Sequence, residues 1–254
     1  MCGVVGFMQY EPSSHIAQHT YVALLHQKHR GPESAGIAVC REDGSIKEHK
    51  GLGALNHVFF RMREEFKQES WHGFASIGHV RYATSGIDFS DPRSVEQAKA
   101  AVQPMRGIFR GEEFLMSYNG NLVPSCIDRL YRSLYNRDIS NIPNRDARVD
   151  SELMIQTIES SGERLFEDAL VSAANQWDGA FSTVFMHNKT MHAIRDPWGF
   201  RPFSFGLFSG GYIVSSESNI FDETRLPGAR LLDHITPGFY VTFHYGDREL
   251  PRCE

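Results

Sequence analysis

GAFSTVFMHNKTMHAIRDPWGFRPFSFGLFSGGYIVSS, residues 179–216, decides the fold class. Its apolar runs at 180–186, 191–194, 203–208 and 212–215 are too short for helices and are separated by turn signals, and a fifth run follows at 239–243. This is the pattern of an antiparallel sheet. Moving toward the N-terminus, helices are predicted over about 124–137, 150–160 and 163–177, the last carrying Phe166, Ala169, Leu170, Ala173, Ala174 and Trp177 on one core-facing stripe. Before them, Glu113 to Tyr118 reads as a strand ending on Asn119-Gly120-Asn121, and the polar stretch 85–103 as a loop with some helix. Phe74 to Tyr82 reads as another strand. Ala35 to Cys40 and Ser45 to His49 form a hairpin across Asp43-Gly44. A helix capped by Ser13 or Ser14 runs through about Lys28, with Ile16, Thr20, Ala23 and Leu24 on one face, until His29-Arg30-Gly31-Pro32 stops it. Gly3 to Met8 is a buried strand at the very start. Strands first, helices in the middle and strands last predict a layered α+β domain rather than alternating βαβ units.

The 254 residues are 41% hydrophobic and 22% charged, enough apolar content for a full core, and they are read as one domain. Lys and Arg total 26 against 31 Asp and Glu, a formal net charge of -5, which gives no reason to expect a nucleic-acid partner. No apolar run approaches the roughly 20 residues that span a bilayer, and no secretory leader is evident, so a soluble, cytoplasmic protein without a membrane partner is expected. Cys2, Cys40, Cys126 and Cys253 are scattered and form no CxxC pair.

Cys2 becomes the terminal residue if Met1 is removed, which places a thiol beside a free α-amine. With a reference pKa of about 7.7–8.0, that amine is partly neutral near pH 7 and can take the thiol proton. A lone cysteine near a terminus is ordinarily a small buried hydrophobe, so further residues must carry the chemistry. They occur in order as Cys2-Gly3-Val4-Val5-Gly6, His29-Arg30-Gly31-Pro32-Glu33-Ser34-Ala35-Gly36, Gly78-His79-Val80-Arg81-Tyr82-Ala83-Thr84, Tyr118-Asn119-Gly120-Asn121 and Asp150-Ser151-Glu152. In these motifs the chain resembles the class II glutamine amidotransferases, and HRGPESAGI, GHVRYATSG, RDPWGFRP and SSES resemble their amidophosphoribosyltransferase branch. Pro32, where that branch usually has glutamine, is shared with the asparagine branch.

The resemblance implies an αββα sandwich of two antiparallel sheets, the N-terminal-nucleophile hydrolase fold, over residues 1–254. It implies hydrolysis of glutamine through a Cys2 thioester, with ammonia passed to an acceptor synthase domain or subunit. Asn119 and Gly120 would then offer a side-chain and a backbone N–H to the tetrahedral oxyanion. Arg81, with Thr84, would bind the α-carboxylate of L-glutamine and Asp150 its α-ammonium. Arg30 would support the site beside Cys2. Three rival readings remain: a glutaminase serving a different synthase, a catalytically idle regulatory module of the same fold, and an acylase acting on other amides.

His15 and His19 stand four apart on a predicted helix, but no third ligand accompanies them, and no metal is expected. Arg129, Arg132, Arg137, Arg145 and Arg148 alternate with Asp128, Asp138 and Asp146, a mixed-charge solvated face. There is no GxGxxG and no P-loop. About 245–254 resembles the junction to a phosphoribosyltransferase domain that this chain does not contain, and Cys253 alone cannot hold an iron–sulfur cluster. No cofactor is therefore expected, and a homo-oligomer is left open.

Overall fold

This computed structural model describes residues 1–82, 88, 90–135 and 149–251. Strand β1 (Gly3–Ser13) leads into α1 (Ile16–Leu25), the hairpin β2 (Ser34–Cys40) and β3 (Ile46–Leu52), the short helices α2 (Leu55–Val58) and α3 (Met62–Glu65), and β4 (Gly73–Arg81). Next come α4 (Pro92–Ala100), β5 (Met105–Phe109), β6 (Glu112–Leu122), α5 (Pro124–Tyr135), α6 (Val149–Glu159) and α7 (Phe166–Ala174). The remaining strands are β7 (Gly179–His187), β8 (Thr190–Arg195), β9 (Ser204–Phe208), β10 (Gly211–Ser215), β11 (Arg230–His234) and β12 (Tyr240–His244).

The strands form a seven-stranded sheet, β11-β9-β10-β1-β4-β2-β3, and a five-stranded sheet, β12-β8-β7-β6-β5. Every neighbouring pair is antiparallel. Alternation along the strands sorts side chains into layers. Val4, Met8, Ile77, Leu115, Val184 and Met191 meet between the sheets. Val5 and Phe7 face Ile16, Ala17 and Leu24 of α1 on the outer side of the larger sheet. Phe114, Phe181 and Phe185 face Leu130, Met154 and Leu170 from the helices α5, α6 and α7. The result is the expected four-layer αββα sandwich.

Four details differ from the sequence reading. The Asn119-Gly120-Asn121 stretch does not end its strand: β6 continues to Leu122, with Asn119 opposite Ser182 and Gly120 opposite Phe181. A Cβ at Gly120 would lie 2.3 Å from the Ala180 carbonyl oxygen, so this glycine serves close strand approach rather than a turn. Helix α1 starts at Ile16 after His15, while Ser13 Oγ accepts the His15 N–H, and a separate 3-10 turn (Lys28–Arg30) replaces its expected last turn. Strands β5 and β11 escaped notice because both are sheet edges whose charged, partly exposed residues read as loop. Finally, the strands after Gly179 do not build one sheet: β7, β8 and β12 join the smaller, β9, β10 and β11 the larger.

Leu115 is fully buried between the sheets. Leu115→Ala should lower the free energy of denaturant unfolding by about 2–5 kcal/mol, since the surrounding layers cannot collapse onto the lost methyls.

Candidate active site

Cys2 immediately precedes β1, and the larger sheet fixes it from both sides. Gly3 pairs with Val80 of β4, and the Val4 N–H donates to Ser216 Oγ at 3.1 Å just beyond β10. Arg30, only 7% exposed, donates from Nε to the Cys2 carbonyl oxygen at 2.9 Å and is itself held through Nη1 by Glu217 Oε1 at 2.5 Å. The next residue allows this arrangement. A Cβ at Gly31 would lie 2.3 Å from the Arg81 carbonyl carbon and oxygen, so only glycine lets this turn rest on the end of β4.

The Cys2 thiol is half-buried, with Sγ 3.8 Å from the Tyr82 carbonyl oxygen. Burial raises its pKa, a shift opposed in part by the charges of the chain terminus, Arg81 and Arg30. The α-amine here belongs to Met1. Burial lowers its pKa, and the nearby Arg30 and Arg201 cations add to that effect. Arg201 Nη1 lies 2.7 Å from Met1 Sδ, while its buried Nε has no partner among the described residues.

From the smaller sheet come Asn119 and Gly120. Asn119 is 1% exposed, and its Nδ2 has no hydrogen-bond partner among the described residues. A buried amide donor left open in this way is costly unless something else accepts from it. Tyr118, the residue before it, donates from its hydroxyl to Asp150 Oδ2 at 3.2 Å, and the Leu122 N–H reaches the same oxygen at 3.4 Å. Asp150 stands in the first turn of α6, and burial raises its pKa. The phenol of Tyr118 is pushed up first by burial, then by Asp150 and Cys2.

Cys2, Arg30 and Arg81 thus gather at one end of the larger sheet, with Asn119, Gly120 and Asp150 grouped on the smaller. Thr84 lies outside the described residues. The sequence reading did not single out Tyr118, Glu217, Ser216 or Arg201, although YNGN, SSES and RDPWGFRP contain them; a tyrosine or glutamate inside a motif carries no sign of which neighbour it will hold. His15 hydrogen-bonds Gln18, and His19 packs edge-on against Phe208, its pKa lowered to about 4 by burial.

Facing antiparallel sheets flanked by helices, with a cysteine leading into a central strand, are the architecture of an N-terminal-nucleophile hydrolase. The profile of the glutamine amidotransferase domain matches residues 92–223, which include Asn119, Gly120 and Asp150. The chain belongs to that family, as a class II glutamine amidotransferase. Among curated relatives, the amidophosphoribosyltransferase of Methanocaldococcus jannaschii is 32% identical over 248 residues, covering 97% of this chain and 48% of its own length. That of Bacillus subtilis is 31% identical over 240 residues, covering 93% and 44%. The solved glutamine phosphoribosylpyrophosphate amidotransferase of B. subtilis, in complex with ADP and GMP, superposes with a TM-score of 0.77 at 28% identity, over 100% of this chain and 49% of that one. A structure described as the allosteric regulatory enzyme of purine biosynthesis gives a TM-score of 0.79 at 28% identity, over 100% and 48%. The chain therefore spans about half the length of these relatives.

Two outcomes follow from the electrostatics. Because burial raises the Asp150 pKa above its unfolded value, the folded state holds that proton more tightly, and this contribution to stability is lost as pH rises through the raised pKa. The Tyr118 and Leu122 hydrogen bonds to the carboxyl end on one oxygen, which an asparagine can supply. Asp150→Asn should therefore raise the thermal midpoint at pH 7, with the gain vanishing below the ordinary carboxyl pKa of about 3.9. Iodoacetamide alkylation of Cys2 in the Met1-bearing chain should titrate above the about 8.5 of a free thiol, followed by mass against pH.

Proposed function

We propose that the chain hydrolyses the side-chain amide of L-glutamine through a thioester on Cys2 and supplies ammonia to a synthase of the amidophosphoribosyltransferase kind, with residues 1–254 serving as the glutaminase module. The observation that carries this reading is the buried, unpartnered Nδ2 of Asn119. It is a donor with no acceptor of its own, on a strand of the sheet facing the cysteine, where an oxyanion would supply the acceptor.

In this mechanism Met1 is removed and the Cys2 nitrogen becomes a free amine. While Met1 remains, that nitrogen is a peptide N–H and cannot serve as base. The amine takes the thiol proton as Sγ attacks the amide carbon, and the negative charge moves to the carbonyl oxygen, facing Asn119 Nδ2 and the Gly120 N–H. Collapse breaks the C–N bond, with the proton going to the leaving nitrogen, and ammonia departs. Water then attacks the thioester, regenerating the thiol and releasing glutamate. Arg30, tied to Glu217 and to the Cys2 carbonyl, holds the nucleophile's backbone.

Arg81 has no acidic partner among the described residues and is placed to bind the α-carboxylate, with Thr84 assigned to the same group by its motif. Asp150 has no cationic partner there either, and its carboxylate suits the α-ammonium. A fixed cation and anion select a free amino acid, which favours glutamine over other amides and argues against an idle module.

The test is glutamate release from glutamine by the chain, with loss of Met1 verified by mass. Cys2→Ala should abolish release, and Asn119→Ala should lower kcat by roughly 100- to 1000-fold. Arg81→Ala should act mainly on KM. Turnover that survives Cys2→Ala, or faster turnover of amides lacking the amino-acid head, would refute the proposal.

A further inference from the structure

The reacting groups of this site are carried by two separate sheets. Cys2 leads into β1 of the larger, whereas Asn119 and Gly120 lie within β6 of the smaller. Apolar packing holds facing sheets about 10 Å apart, but it is non-directional and does not fix the height of one strand along another. A hydrogen bond across the gap does.

His79 makes one. It lies in β4 opposite Val4, two residues beyond Cys2, and its Nε2 is 3.0 Å from the Tyr118 carbonyl oxygen in β6. Both residues are buried. Among the described residues, no other hydrogen bond joins a buried strand residue of one sheet to a buried strand residue of the other. A carbonyl oxygen only accepts, so Nε2 carries the proton. Burial lowers the His79 pKa to about 3, which keeps the ring neutral, and Nδ1 is left without a partner. A leucine would fill this space without burying an unsatisfied nitrogen, so the packing itself does not require histidine. The carbonyl that His79 holds belongs to the peptide whose nitrogen is that of Asn119. The same tyrosine is fixed at its N–H by Gln103 Oε1 at 2.6 Å and at its hydroxyl by Asp150.

We propose that His79 is a positioning residue for the oxyanion hole: by donating from Nε2 to the Tyr118 carbonyl, it sets Asn119 and Gly120 at the height of the Cys2 sulfur. This inference rests on the roles given to Cys2, Asn119 and Gly120 above. It needs no contact between His79 and substrate.

The experiment compares His79→Leu, which removes the donor, with His79→Gln, whose amide can reach the same carbonyl, in the full chain freed of Met1. His79→Leu should lower kcat for glutamine at least about tenfold while KM stays within about threefold. Iodoacetamide alkylation of Cys2 forms no oxyanion and should be unchanged. The backbone amide resonances of Asn119 and Gly120 should shift in His79→Leu, and His79→Gln should recover most of both. If His79→Leu does not fold, His79→Asn, too short to span the gap, takes its place. Unmoved resonances overturn the inference, as does a glutamine variant no better than leucine, or a parallel loss of kcat, affinity and alkylation rate. A wild-type chain that releases no glutamate, or a fully active Asn119→Ala variant, counts instead against the proposed function, and the resonances still decide the role of His79.

Discussion

Because Val4 and Met8 point into the space between the sheets while Val5 and Phe7 point toward α1, β1 is buried on both faces and paired along both edges. A strand enclosed on four sides has almost no positional freedom, and Cys2 inherits that restriction from the residues that follow it. The Arg30 and Ser216 hydrogen bonds refine a position that burial has already set. The remaining layers serve this enclosure: one sheet holds the strand, the other covers it, and helices close each outer face.

The polar groups around Cys2 fall into two kinds. Arg30 Nε and Nη1 are taken up by the Cys2 carbonyl and Glu217, though its buried Nη2 has no acceptor among the described residues. Asn119 Nδ2 and Arg201 Nε are buried donors with no acceptor among the described residues. Buried donors left open in this way favour negative charge beside them without having to rearrange when it appears. Asp150 sits at the other extreme, an acid whose ionisation burial opposes.

Much of this was legible from the sequence because the signals were strong and local. The double-sided burial of β1 showed as an unbroken apolar run, the hairpin as Asp43-Gly44, and the α7 face as a helical stripe. What stayed hidden depends on long-range pairing. Asn119-Gly120 reads as a turn until Ser182 and Phe181 are known to lie opposite. The division of the later strands between two sheets leaves no trace in their hydrophobicity, since both sheets bury both faces. Glu217 and Tyr118 gain their meaning from Arg30 and Asp150, far away in the chain. Edge strands β5 and β11 were lost for the opposite reason: exposure gave them the composition of loops.

The central place of β1 also bears on the order of events during synthesis. Val5 pairs on one side with Gly78 and on the other with Ser215, so β1 waits for partners made much later than itself. Pairings of such long range form slowly, after the chain between them has been made. Throughout that interval β1 lacks at least one of its neighbours, and it is enclosed only when β10 arrives. The topology thus ties completion of the strand that fixes Cys2 to the synthesis of β10.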